Sequence, residues 1–446
     1  MGGCELVDSE FLQKIANRSL TAGVIGLGYV GLPLAHAFCQ AGLNVVGFDI
    51  DPAKIETLQA GRSYIRHFGD DKVRDMARSG RFTPSADFSG LANMDAILIC
   101  VPTPLDPSRA PDLSYVARTS EEIAKHLTQG TLVVLESTTY PGTTVEIVQP
   151  ILERSGLKAG RDFFLAFSPE REDPGSGIET STIPKIVGGI DAISTGCAAR
   201  LYGSAFSDVR TVRDTQTAEA VKITENVFRA VNIALVNELK VIYTRMGINV
   251  WDVIDAAKTK PFGYMAFYPG PGLGGHCIPI DPFYLSWRAR NFGTDAHFIE
   301  LAGEINRAMP HFVVRELADA LSTKFRAAIN GAKILIVGIA YKKNVDDLRE
   351  SPAFEIMEML RTRGAEVSYY DPYCPQIPRT REHENLMGVK SVAFDEATVS
   401  RFDAALVVTD HDCIDFSALV KWSKLVVDTR NATRSVTEAR DRIVLA

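Results

Sequence analysis

Six residues that follow a short apolar run, Gly26-Leu27-Gly28-Tyr29-Val30-Gly31, constrain this chain more than any other stretch. Residues 20–25 before them read as a buried strand, and the apolar-rich segment to about Gln40, stopped by Gly42, reads as a helix. A second strand, residues 44–48, ends at Asp49, 23 positions past Gly26. This is GxGxxG in its required setting, with a strand before, a helix after and an acid downstream. The glycines permit a tight turn and close approach to a pyrophosphate seated on the helix N-terminus, while the acid accepts from ribose hydroxyls. Gly26, Gly28, Tyr29, Val30, Gly31 and Asp49 are therefore the expected dinucleotide contacts. Ile50 and Asp51, not an arginine, follow the acid, so a ribose 2′-phosphate would meet negative charge and the expected cofactor is NAD.

The βα alternation continues with strands expected at residues 94–101, 131–135 and 163–167. They run into Pro102-Thr103-Pro104, Glu136-Ser137-Thr138-Thr139 and Ser168-Pro169-Glu170-Arg171. Ligands of open parallel sheets bind beyond the carboxyl ends of strands, which makes Thr103, Thr138 and Glu170 candidates to face cofactor and substrate. A turn or helix-cap role is the ordinary alternative for each. From Thr215 to about Arg245 there is no Pro or Gly, and apolar residues recur at spacings of three and four, predicting a long helix. Lys222 and Asn226 share a face of it, one turn apart. They either pair with Glu219 or Glu225 at a solvated surface or project together to stabilise an oxyanion.

A second helical stretch, residues 250–258, leads into PGPGLGGHCIPID at 269–281. Four glycines here allow positive φ and close backbone approach, and Cys277 supplies a thiol whose thiolate is a strong nucleophile. The competing reading is a surface turn carrying an inert buried cysteine. A further helix covers about 296–324, with Pro310 as a candidate break. Residues 332–337, 366–370, 404–408 and 425–427 then read as strands of a second doubly wound unit that lacks GxGxxG. Near its strand ends stand Lys342, Arg349 and Arg430, which suit a diphosphate. The expected fold is α/β, with two Rossmann-like doubly wound domains joined by a central helical domain that holds a long helix. A leader covers 1–20, the NAD-binding domain 21–214, the helical and dimerisation domain with the cysteine loop 215–310, and the last domain 311–446.

Bulk properties bound what such a chain can serve. A net charge of −7 over 446 residues argues against a general nucleic-acid or membrane-surface binder. Seven scattered cysteines without CxxC or Cys/His spacing predict neither a metal site nor a disulfide framework, as in a reduced cytoplasmic protein. No apolar run approaches the roughly 18–20 residues of a membrane span.

Taken in order, GLGYVGLP (26–33), FDID (48–51), VPTP (101–104), ESTTYPGT (136–143), SPER (168–171), Lys222 with Asn226, GGHCIPID (274–281) and YKKNVDDLRESP (341–352) resemble the UDP-glucose/GDP-mannose dehydrogenase family. The resemblance runs from about residue 20 onward. It implies oxidation of a nucleotide-sugar C6 alcohol to a carboxylate with two NAD and no release of the aldehyde. It further implies that Cys277 carries a thiohemiacetal and then a thioester, and that Lys222 and Asn226 steady the oxyanions. Asp281, with Thr138 through water, would handle the alcohol proton, and Glu170 would act as base in hydrolysis. The last domain would hold UDP, with Lys342 and Arg430 as contacts and Arg349 reaching across a homodimer built on the central helix. Glu170, Arg171, Lys222, Asn226, Tyr268, Gly272 and Gly274 complete the implied substrate contacts.

Departures from the UDP-glucose branch are Ile280 in place of its lysine, Pro174 in place of a second glutamate, and KPFGYMAFYPGPG (260–272) in place of a segment with an arginine. These, with CIPIDPFYLSW (277–287), resemble the branch acting on UDP-N-acetylhexosamines in bacterial polysaccharide synthesis, N-acetylglucosamine foremost. An ordinary two-electron hydroxyacid dehydrogenase shares the first domain and a catalytic lysine but has no use for Cys277 or for residues 332–446. A non-catalytic nucleotide-sugar sensor would not need every polar group retained here.

Overall fold

Runs of three to five residues, too short for helices and mostly rich in Val, Ile, Leu and Phe, form the strands of two sheets. The computed structural model describes residues 2–65, 68–106, 110–171, 180–275, 277–380 and 383–446, with the side chains of 2–8 and 277 outside that description. The chain divides into two compact units, Met1–Glu225 with Phe283–Asp295, and Asn226–Pro282 with Ala296–Ala446.

The first unit holds β1 (Thr21–Ile25), β2 (Asn44–Phe48), β3 (Phe82–Ser85), β4 (Ala96–Ile99), β5 (Leu132–Leu135), β6 (Phe164–Phe167), β7 (Lys185–Gly189) and β8 (Val209–Thr211). Their order is β3-β2-β1-β4-β5-β6-β7-β8, parallel except where β6 meets β7. Chain order reverses beside β1, which pairs Ile25 with both Phe48 and Ile99. That register delivers Gly26, Asp49 and Cys100 to one sheet edge at the switch point. Ala22, Val24 and Leu98 pack on one face, and Ile25, Ile97 and Ile99 on the other, so both faces are dry. The segment expected as a polar leader is a helix, Gly2–Ala16. Phe11 is buried against Phe164, and Lys14 donates to Asp95 at 2.9 Å. The apolar group Phe11, Leu12 and Ile15, set on one helical face, is the signal that the polar composition hid.

The second unit contains β9 (Lys333–Val337), β10 (Glu366–Tyr370), β11 (Ala404–Val407), β12 (Val426–Asp428) and β13 (Ile443–Leu445), all parallel, in the order β10-β9-β11-β12-β13. The long helix spans Thr215–Arg245, and the chain passes from one unit to the other within it. The helix His297–Phe325 runs unbroken through Pro310. Burial of Met309, Pro310, Phe312 and Val313 supplies packing that offsets the lost backbone bond. The glycine-rich loop also ends earlier than expected. A helix, Cys277–Arg290, begins at the cysteine and includes Asp281 and Pro282. Pro279 sits in its first turn, where an N–H has no intrahelical partner to lose.

Among the described residues no helix is long and apolar enough to cross a membrane, and no cluster of His, Cys, Asp and Glu could hold a metal ion.

Candidate active site

In the first unit the glycines of the fingerprint separate by cause. A Cβ at Gly26 (φ +92°) would stand 2.5 Å from the Cys100 carbonyl, and one at Gly31 would collide with the Gly26 carbonyl. Strand–helix packing requires both. A Cβ at Gly28 would meet nothing within 4 Å. Open space at the N-terminus of the helix Gly31–Gln40 fits a pyrophosphate, which the helix dipole attracts. Tyr29 and Val30 are half-buried on the same turn. Asp49 is buried and accepts from Leu27 N at 3.0 Å, Asp51 N at 3.0 Å and Lys54 Nζ at 2.9 Å. Lys54, one turn further along, is a partner that sequence reasoning missed; its position five residues on, in a Pro-initiated helix, was the available signal.

The polar strand ends lie where the sheet predicts. Thr103 is buried, and its carbonyl accepts from the Tyr284 hydroxyl; Thr138 is half-buried past β5. Glu170 belongs to a group the sequence did not suggest. Its Oε2 lies 3.1 Å from Lys185 Nζ, which also meets Glu136 Oε2 at 2.8 Å, and Tyr202 donates its hydroxyl to Glu136. Burial pushes the Glu136 carboxyl up despite the opposing pull of Lys185. Burial would lower the Lys185 ammonium, but Glu136 and Glu170 outweigh it and hold it above its ordinary value. Arg171 donates to Glu225 from Nε (3.2 Å) and Nη2 (2.5 Å), and to the Pro184 carbonyl (2.6 Å).

The solvated-surface reading of Lys222 does not hold. Glu225 is taken by Arg171, and Glu219 is buried, accepting from Gly142 N (2.5 Å), Thr144 N (2.9 Å) and Thr144 Oγ1 (2.7 Å). Lys222 is itself only 7% exposed and has no hydrogen bond or ion pair among the described residues. With no partner among the described residues, its ammonium is available to a ligand oxygen.

In the second unit Asn226, 3% exposed, donates through Nδ2 to Asp281 Oδ2 at 2.6 Å. Asp281 lies one turn past Cys277 on the helix Cys277–Arg290. The Cys277 side chain, His276 and Pro174 lie outside the described residues. The glycines before the cysteine owe their identity to the protein's own packing. A Cβ at Gly272 (φ +150°) would stand 2.9 Å from Pro352, and one at Gly274 2.6 Å from Tyr341. At Gly275 (φ +80°) it would meet the Tyr341 ring at 2.9 Å. The segment 341–352 therefore presses on the loop, and Gly275 N donates to the Arg349 carbonyl at 2.9 Å. The Arg349 side chain forms a bidentate pair with Asp347.

Arg430 lines a cavity of about 630 Å³ with Trp251, Tyr268, Lys343, Asp410 and His411. Its Nε donates to the Val408 carbonyl at 3.0 Å, and its guanidinium sits so close to Gly270 that a Cβ there would lie 2.6 Å away. Burial lowers the Arg430 guanidinium from its ordinary value, and Asp410 and Asp428 oppose this. Tyr268 is tethered through its hydroxyl to Asp255 (2.7 Å) and Lys258 (3.1 Å). Lys342 is half-buried in a turn whose neighbour, Asn344 N, donates to His411 Nδ1 at 2.9 Å. Because Nδ1 accepts, Nε2 carries the proton and donates to Asp371 Oδ2 at 3.1 Å. The cleft is lined by Lys343, Arg430 and Arg434 and not by Lys342, and these three cations with aromatic rings and acceptors suit a nucleoside diphosphate.

Comparison with known proteins gives this geometry a context. The profile of the NAD-binding domain of the UDP-glucose/GDP-mannose dehydrogenase family matches residues 20–206, that of its central domain 216–308, and that of its UDP-binding domain 335–435. The chain is 37% identical over 363 residues to a UDP-N-acetyl-D-glucosamine 6-dehydrogenase of Pseudomonas aeruginosa, covering 80% of this chain and 83% of that one. It is 35% identical over 418 residues to a UDP-N-acetyl-D-mannosamine dehydrogenase of Pyrococcus horikoshii, covering 92% and 94%. The solved structure of a UDP-D-ManNAc dehydrogenase from Pyrococcus horikoshii superposes with a TM-score of 0.85 at 34% identity, covering 94% of this chain and 96% of that one.

Proposed function

The chain belongs to the UDP-glucose/GDP-mannose dehydrogenase family and is an NAD-dependent oxidoreductase with a UDP-binding domain; from that premise we propose that it oxidises the C6 alcohol of a UDP-N-acetylhexosamine, UDP-N-acetyl-D-glucosamine foremost, to the uronic acid. The observation that carries the proposal is Lys222, buried and unpaired among the described residues, one helical turn from an Asn226 whose amide is fixed by Asp281.

NAD, when bound, supplies the acceptor for one hydride in each of two oxidations. Gly28 leaves room for its pyrophosphate and Asp49 stands ready for a ribose hydroxyl. Asp281 takes the proton of the C6 alcohol, with Thr138 acting through water. The Cys277 thiolate adds to the aldehyde carbon. Lys222 and the Asn226 amide stabilise the oxyanion of the thiohemiacetal and that of hydrolysis. Glu170 then serves as base for the water that cleaves the thioester. Arg171, whose donors go to Glu225 and Pro184, shapes the turn that carries Glu170. Arg430 and Lys343 hold the diphosphate and Tyr268 borders it. The homodimer expected from the sequence, with Arg349 reaching the partner, belongs to the same proposal.

The second reading is UDP-N-acetyl-D-mannosamine, the C2 epimer, on the strength of relatives so named at 35% identity. Initial rates with purified UDP-N-acetyl-glucosamine, -galactosamine, -mannosamine and UDP-glucose separate the readings. Two NADH per sugar are expected with the preferred substrate. A yield of one would remove the thioester route.

A further inference from the structure

Four side chains in the first unit form a file that runs from the fully enclosed interior to the rim of the sheet. Tyr202, at 0% exposure, donates to Glu136 Oε1. Glu136 Oε2 lies 2.8 Å from Lys185 Nζ, and Lys185 lies 3.1 Å from Glu170 Oε2 and 3.4 Å from the Pro169 carbonyl. The side chains of Glu136 and Lys185 are 0% and 3% exposed, against 12% for Glu170. Only the last member reaches outward. The ammonium also lies 5.3 Å and 5.4 Å from the ring centroids of Tyr202 and Phe206. One buried and one half-buried carboxylate thus share one cation, an arrangement whose desolvation cost makes it a poor stabiliser of a fold. It is well suited to fixing a carboxylate in place.

We propose that Lys185, itself held by Glu136 and Tyr202, is a positioning residue that clamps Glu170 through Oε2 and keeps it an anion for attack by water on the thioester. The inference rests on the proposed role of Glu170. In that step the water oxygen bonds to the thioester carbon as Glu170 takes one of its protons. The carbon–sulfur bond breaks, and Cys277 leaves as the thiolate. Glu170 Oε1 already accepts from Arg171 N at 2.7 Å, so the two contacts together set the plane of the carboxylate.

Among the described residues, the charged and titratable groups around the file are Glu136 past β5, Lys185 on β7, Tyr202 from its helix, the buried Cys100 thiol past β4, and Arg171 with its partner Glu225. Their balance predicts opposite effects from two substitutions. Lys185→Met leaves Glu170 beside Glu136 without a cation, so protonation of the pair becomes easier. The acid limb of the hydrolysis rate should move up by about one pH unit or more. Glu136→Gln gives Lys185 wholly to Glu170, and the limb should move down.

The test is single-turnover reaction with NAD and UDP-N-acetylhexosamine, quenched in acid, with the Cys277 acyl adduct followed by intact mass over pH 5–9. Glu170→Gln serves as the reference in which the adduct accumulates. With Lys185→Met, hydrolysis slowed about tenfold or more, adduct accumulation and unchanged NAD affinity are expected. Lys185→Arg should restore much of the rate. Adduct accumulation in Glu170→Gln with ordinary hydrolysis and an unmoved limb in Lys185→Met would overturn the Lys185 assignment and leave the proposed function standing. No adduct in any variant would remove the proposed function instead. If Lys185→Met does not fold, Glu136→Gln decides: a limb that stays or moves up refutes the clamp.

Discussion

At the scale of the residue, the sequence is most informative about groups that chemistry cannot replace and least informative about their supports. The candidates Cys277, Lys222, Asn226, Asp281 and Glu170 stand out in the sequence because each is a nucleophilic, charged or amide side chain at a strand end, on a helix face or in a glycine-rich segment. Lys54, Glu136, Lys185 and Tyr202 are not legible, since they act only through partners that folding brings from 5 to 66 positions away. Replacing Cys277 by Ser should lower overall turnover by about three orders of magnitude or more, because the hydroxyl is a far weaker nucleophile near neutral pH. NAD and UDP-sugar affinity, measured by calorimetry, should persist. Near-normal steady-state turnover would refute the nucleophile.

At the scale of the element, Glu219 joins the long helix to the segment Gly142–Thr144 through three donors. Burial pushes its carboxyl up to about 7, with the Thr144 and Gly142 donors opposing. A raised acid binds its proton more tightly in the folded state. Its contribution to stability is therefore fully present below the ordinary value of 4.5 and is lost as pH rises through about 7. The loss is on the order of 3 kcal/mol. Urea midpoints taken between pH 5 and 8 should fall with pH in the parent and fall less in Glu219→Gln; parallel slopes would dismiss the effect.

Elements with strong periodicity were read nearly to the residue: the helix Thr215–Arg245 and the strand Glu366–Tyr370 have the expected bounds. β3, β7 and β8 are not legible because three to five residues carrying Pro, Lys, Arg or Gly give no run to recognise, and β13 because three apolar residues are too few to mark a strand. The helix Cys277–Arg290 was hidden by its two prolines, one tolerated in the first turn and one inside.

At the scale of the whole molecule, the expected three-domain division follows sequence blocks, whereas compactness follows burial. The residues after the cysteine return to the first unit as Phe283–Asp295, where Tyr284 is fully buried and bonds the Thr103 carbonyl. No sequence signal marks that return. The long helix also leaves Phe228, Leu235 and Ile242 exposed at 47%, 49% and 44%, seven residues apart. Such a stripe suits a second copy of the same helix. If the proposed homodimer is built on this stripe, Leu235→Asp should shift the sedimentation of the protein toward a single chain, and unchanged sedimentation would refute the stripe as its interface.

One quiet feature is the clamp on the glycine-rich loop. The wholly buried Asn237 accepts from Gly270 N at 3.0 Å and donates to Asn306 Oδ1 at 2.8 Å, while Asn306 donates to the Ala230 carbonyl. Composition alone would class this loop with the fast-exchanging tips of a protein. Its amide protons should instead behave like those of a helix. Gly270 and Gly275 are expected to keep their hydrogen in deuterated solvent for far longer than the neighbouring Gly263. Asn237→Ala should erase that protection at Gly270 while sparing Gly275, whose partner is the Arg349 carbonyl.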